Sequence, residues 1–146
     1  MKPALQPGEV LLSRRTKSIP WSRGAARYNA IVVVSWSGEA KETFIKRVVG
    51  LGGDRIRIKG GTLVRNGQAV DEPYVWYPSA VVKAADTWPR LSGLSEVTVP
   101  KGHVFLLGDN RAESVDARVF GSLPESRILG VVERHVWIPE RIGRMM

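Results

Sequence analysis

Two stretches of the sequence carry residue types that can move protons. In Thr43 to Ile56, TFIKRVVGLGGDRI, strand alternation puts Lys46 on one face with Phe44 and Val48, while Ile45, Arg47 and Val49 point the other way. An ammonium pressed among apolar neighbours loses hydration. Its pKa then falls, and a neutral amine, a general base, becomes available near neutral pH. The plainer alternative is a lysine that lays its stem along a strand edge and keeps its charge in water. The second stretch, Gly108 to Arg118, reads GDNRAESVDAR directly after the apolar run His103 to Leu107. Taken alone, Asp, Asn and Gly after a strand are ordinary turn chemistry.

Together, KRVVGLGGD (Lys46 to Asp54) and GDNRAESVDAR resemble the two downstream signatures of bacterial type I signal peptidases, the serine/lysine endopeptidases that cut signal peptides from exported proteins. Met1 to Glu9, MKPALQPGE, is similar to that family's nucleophile segment, Ser-Met-x-Pro-Thr-Leu followed by a Gly-Asp pair, with Met1 and Pro3 on the motif. The resemblance implies that Lys46 takes the proton of a serine hydroxyl as it attacks the scissile carbonyl and returns it to the leaving amine. It further implies that Ser114 orients that lysine and that Asp116 and Arg118 form an ion pair bracing the loop, with Gly108, Asp109, Asn110 and Arg111 in the same turn. In the family the nucleophile immediately precedes the residue matched by Met1. The sequence as given is therefore expected to lack it, and to bind peptides while hydrolysing them poorly. Ala117 replaces a serine common in the family and Gly52 a proline; neither position has a proton-transfer role.

The implied substrate is the signal peptide of an exported preprotein, bound extended with small residues at the first and third positions before the cut. Small side chains suit shallow pockets beside a strand-like groove where backbone pairing supplies affinity. No metal or organic cofactor is implied. The implied place of action is the extracytoplasmic face of the cell membrane, the family's usual N-terminal membrane tether being missing from this sequence along with the serine. Two other readings stand beside this one: a homologue that binds peptides or preproteins without cutting them, and a basic nucleic-acid-binding module.

The rest of the chain must position these residues. At 146 residues it is read as a single peptidase-like domain over 1–146, with room for one core rather than two. A hydrophobic content of 43% and a charged content of 25% describe an ordinary globular chain. With no cysteine, disulfides, thiolate metal sites and thiol nucleophiles are excluded. No apolar run approaches the roughly 18 residues of a membrane-spanning helix. Net charge is +8, and no acid falls between Glu9 and Glu39, where Arg14, Arg15, Lys17, Arg23 and Arg27 interleave with Trp21, Tyr28 and Trp36. Such a patch suits an anionic membrane surface. Phosphate contacts to nucleic acid and a solvated loop with no partner are the alternatives, and nucleic acid is not the expected partner.

The expected fold is all-β, coiled and barrel-like antiparallel sheets of the signal peptidase type, with little helix. Val10 to Ser13 reads as a first strand and residues 14 to 29 as a basic loop. Ala30 to Trp36 (AIVVVSW) is β-branched and reads as a buried strand turning at Ser37-Gly38 into the Lys46 strand. Gly50 to Gly53 reads as a tight turn. Asp54 to Val70 reads as a meander with Ile56 and Ile58 on one face, turning at Gly60-Gly61 and Asn66-Gly67. The stretch 71–96, with Pro73, Pro78 and Pro89, is a loop-rich excursion whose Tyr74, Trp76, Tyr77 and Trp88 are expected to pack down onto the barrel, a binding surface being the alternative. Val97 to Pro100 and His103 to Leu107 are expected as a hairpin, Ile128 to Ile138 as a closing strand, and Glu140 to Arg144 as at most a helical turn. His103 and His135 stand singly in strands and read as structural.

Overall fold

The structure, a computed structural model, describes residues 10–15, 26–37, 42–76 and 93–136. Among these, ten strands form two antiparallel sheets, as the alternation and β-branched runs require. They are β1 (Val10–Arg15), β2 (Ile31–Val34), β3 (Phe44–Leu51), β4 (Arg55–Lys59), β5 (Thr62–Arg65), β6 (Gln68–Ala69), β7 (Gly93–Thr98), β8 (His103–Leu107), β9 (Leu123–Pro124) and β10 (Ile128–Val136). The six-stranded sheet has the order β1-β10-β2-β3-β8-β9, and the four-stranded sheet the order β6-β5-β4-β7.

The central strands β3 and β8 are apolar on both faces because each face meets a different core. Val49, Phe105 and Leu107 join Ile56, Ile58, Leu63 and Val99 between the sheets. Val48, Val104 and Leu106 join Val32, Val34, Leu123 and Ile128 on the other side. Gly50 leaves room for a close approach of its neighbours in both sheets, since a Cβ there would lie 2.9 Å from Ile56 Cγ1 and 3.0 Å from Phe105 Cβ.

After β3 the chain turns through Gly52-Gly53 and changes sheet. Asp54 fastens this corner: its carboxylate accepts from the Leu51 N–H, Arg65 Nε and Asn66 Nδ2, each at 2.8 Å. Burial works to raise its pKa, but these bonds hold the carboxyl below the usual carboxylate range. The meander β4–β6 follows the expected pattern, with Ile56 and Ile58 buried between exposed Arg55, Arg57 and Lys59. Asn66 and Gly67, at φ 53° and 83°, make the left-handed turn expected of an Asn-Gly pair.

One expectation is corrected. The segments before and after Pro100-Lys101-Gly102 do not pair as a hairpin. A turn is present, with the His103 N–H on the Pro100 carbonyl at 3.1 Å, but β7 pairs with β4 in one sheet and β8 with β3 and β9 in the other. Val99 is drawn into the core between the sheets, and its N–H bonds the Asp54 carbonyl at 2.8 Å, so the strands part at that point. The described residues also hold one α-helical turn that no sequence pattern announced. Asp116 caps a single turn, α1 (Ala117–Phe120), by accepting from the Arg118 N–H; residues 140–144 lie outside the described residues.

Candidate active site

β3 and β8 run side by side with Arg47 opposite Leu107 and Val48 opposite Leu106. One step further along this register, Lys46 comes abreast of Gly108, where β8 ends and the loop to α1 begins. The loop curls back over Gly108 to bring Ser114 onto the lysine, and Lys46 Nζ donates to Ser114 Oγ at 2.7 Å. Only a glycine fits beneath this contact. A Cβ on Gly108 would overlap the hydroxymethyl group of Ser114 and stand 3.6 Å from Lys46 Nζ.

Lys46 is 8% exposed. Its burial lowers its pKa, the guanidinium of Arg118 lowers it further, and the negative charge of Asp116 partly opposes both. The net direction is toward the neutral amine. Burial works to raise the pKa of Asp116, but Arg118, the Gly108 N–H and the Ser114 hydroxyl hold it below the usual range, so it stays ionised. Arg118 grips both Asp116 oxygens at 2.9 Å and reaches the Ser114 carbonyl at 3.2 Å. The Gly108 N–H donates to Asp116 Oδ2 at 3.1 Å. Asp116 and Arg118 thus fix the backbone on either side of Ser114.

The remaining loop residues face away from the lysine. Asp109 receives Arg47 through two bonds, 2.9 Å from Nε and 2.8 Å from Nη2. Arg111 donates from Nε to the Gly108 carbonyl at 3.1 Å and grips Glu72 with both terminal nitrogens, at 3.0 and 2.6 Å. Asn110 Nδ2 donates to Glu113 at 2.8 Å. Lys46, Gly108, Ser114, Asp116 and Arg118 therefore gather at one point, while Asp109, Asn110 and Arg111 brace the loop from behind. Met1 and Pro3 lie outside the described residues, as do Lys17, Trp21 and Arg23 of the basic and aromatic patch.

Arg47, Glu72 and Tyr74 belong to this site; read from the sequence, Arg47 and Glu72 carry no role there and Tyr74 a packing role. For Arg47 a signal existed: an arginine inside a strand buried on both faces requires a carboxylate. The opposite face of β3 carries partly exposed aromatics. Phe44, 41% exposed, meets Trp36 edge-on at 6.0 Å between ring centroids, and Phe120 of α1 lies 5.4 Å from Trp36. The face shared by Phe44 and Lys46 is apolar as expected, yet it is open to solvent at its Phe44 end.

The family profile described as signal peptidase, peptidase S26, matches residues 1–137 of this chain. A signal peptidase I of Bacillus caldolyticus is 38% identical over an alignment covering 94% of this chain and 74% of the relative. Signal peptidase IB of Staphylococcus aureus is 32% identical, covering 94% and 73%. Among solved structures, a signal peptidase I of Enterococcus faecalis V583 superposes with a TM-score of 0.54 at 27% identity, covering 73% of this chain and 95% of that one.

Proposed function

The chain belongs to the bacterial type I signal peptidases of family S26, and on that premise we propose that it is a serine/lysine endopeptidase that removes signal peptides from exported preproteins, with Lys46 as its base. The observation that carries this reading is the part-buried Lys46–Ser114 contact at 2.7 Å. It combines a desolvated amine with a hydroxyl that fixes where that amine points.

In this reading the serine aligned with the position before Met1 supplies the nucleophile. Neutral Lys46 takes its proton as the oxygen bonds to the scissile carbonyl carbon, and the resulting ammonium gives that proton to the departing amine. The acyl-enzyme is then opened by water, Lys46 taking a proton from the water and returning it to the serine. Ser114 holds the ammonium form by its hydroxyl, and Asp116 holds it by charge. Burial counters both, which keeps the amine available as a base. Small residues at the first and third substrate positions, and action at the extracytoplasmic face of an anionic membrane, complete the proposal; the net charge of +8 supports the last of these.

Cleavage of a preprotein by the chain carrying a serine immediately before Met1, compared with the 146-residue chain, tests this directly. The extended chain is expected to cut after a small residue and the shorter one to lose most of the rate, since a positioned nucleophile is worth roughly 7–11 kcal/mol of barrier in favourable cases. Equal rates would mean that the nucleophile has been placed wrongly. Co-sedimentation with anionic vesicles should occur at low salt and weaken as salt rises; salt-independent binding would remove the membrane part.

A further inference from the structure

We propose that Glu72 is a positioning residue of this reaction: it clamps Arg111, and Arg111 holds the Gly108 carbonyl, the backbone against which the Lys46–Ser114 pair rests. The inference takes Lys46 as the reacting amine. Glu72 follows β6 in a stretch without strand periodicity, yet its side chain is only 8% exposed and that of Arg111 2%. Glu72 Oε2 accepts Arg111 Nη1 at 3.0 Å, and Oε1 accepts both Arg111 Nη2 at 2.6 Å and the Tyr74 hydroxyl at 2.8 Å. The third donor of the same guanidinium, Nε, reaches the Gly108 carbonyl at 3.1 Å. One planar cation thus ties the carboxylate to the peptide that seats the lysine and serine.

The neighbours of Glu72 grip the same loop. The guanidinium of Arg47, bonded to Asp109, lies over the Tyr74 ring at 3.9 Å from its centroid. The Trp76 N–H donates to the Asp109 carbonyl at 3.1 Å, and Trp76 bridges to Asn110. Glu72 to Trp76 therefore contacts Asp109, Asn110 and Arg111 in turn. The Gly108 peptide is held at its N–H by Asp116 and at its carbonyl by Arg111. Releasing the second hold lets the seat of Ser114 shift and water reach Lys46. The charged groups acting on Lys46 are Asp116 and Arg118. Around Glu72 stand the cation Arg111 and the neutral phenol of Tyr74, with Tyr28 nearby.

The test uses Glu72→Gln in the chain with the serine before Met1. The expected result is a kcat lower by between about tenfold and 100-fold, the range a misplacement of order 1 Å produces, with KM unchanged. In the same variant the Lys46 pKa, followed by carbon-13 NMR of labelled lysine, rises toward the ordinary lysine value. Tyr74→Phe removes one bond to Glu72, keeps the ring beneath Arg47, and should move both readouts in the same direction by less. Glu96→Gln, which breaks an exposed ion pair to Arg55, should move neither. A folded Glu72→Gln protein with the parent's kcat and Lys46 pKa overturns the proposal, as does a change confined to KM. If Glu72→Gln does not fold, Tyr74→Phe with the parent's values overturns it. Should the parent cleave nothing, the Lys46 pKa still decides: a rise in Glu72→Gln upholds the positioning role and leaves the peptidase reading as what failed, and no rise overturns both.

Discussion

Lys46 and Arg47 are adjacent cations on one strand, nearly equally buried at 8% and 7% exposed, and the fold treats them in opposite ways. Arg47 is met by a carboxylate through two bonds, by the carbonyl and side chain of Asn29 at 3.2 and 3.1 Å, and by the face of Tyr74. Lys46 is met by a hydroxyl, with carboxylate influence from Asp116 opposed by Arg118. One cation has its lost hydration replaced by a carboxylate, an amide and a ring face. The other is left short of replacement, which turns an ammonium into a candidate base. Burial alone does not make a reactive lysine; incomplete compensation does.

The largest test of this contrast removes each cation in turn. Lys46→Met should lower cleavage by about 10²- to 10⁴-fold, the usual worth of a general acid–base, while its urea midpoint stays near that of the parent. Arg47→Met should do the reverse in origin, costing about 3–5 kcal/mol of stability by leaving Asp109 buried without its partner, read as a lowered urea midpoint. Equal destabilisation by both substitutions would erase the distinction.

The next test is pH. The folded pKa of Lys46 lies below the unfolded value, so between the two the unfolded chain binds the extra proton and stability rises with pH. Lys46→Met should flatten that rise. Asp116 acts in the other sense: its folded pKa is depressed, so its contribution is present above the ordinary aspartate range and is lost as pH falls through it. Urea titrations at stepped pH on parent and variant would show both, and parallel curves above neutral pH would contradict an amine of lowered pKa.

A smaller effect is expected from Ser114→Ala. The bond from Lys46 is charge-assisted when the amine is protonated, worth about 1.5–3 kcal/mol, so its loss should lower kcat by roughly 10- to 100-fold and shift the pH at which activity appears. Activity and pH profile both identical to the parent would remove Ser114 from the site.

Much of this was legible in the sequence, and the reason differs by residue. Strand alternation separated Lys46 from Arg47, and the β-branched run Ile31–Val34 marked the neighbouring strand, because both signals are local. The Asn66-Gly67 turn was legible for the same reason. The partner of Arg111 was not: Glu72 lies 39 positions away in a stretch without periodicity, and its pairing exists only after the sheets close. The sheet change at Val99 was hidden likewise, since a turn at Lys101-Gly102 looks the same whether the flanking strands pair or diverge. The helix Ala117–Phe120 is one turn long and rests on the Asp116 cap, too little sequence to carry a period.

The order of strands also sets a clock. β3 and β8 are neighbours in the six-stranded sheet, but β4 to β7 are made between them. Lys46 and Ser114 are 68 residues apart in the chain. At about 5–20 residues per second of synthesis, the lysine exists for several seconds before the loop that desolvates it has been made. Throughout that interval it is an ordinary hydrated ammonium, fully protonated at neutral pH. The contact between Lys46 and Ser114 can therefore form only after β4 to β8 have all been made.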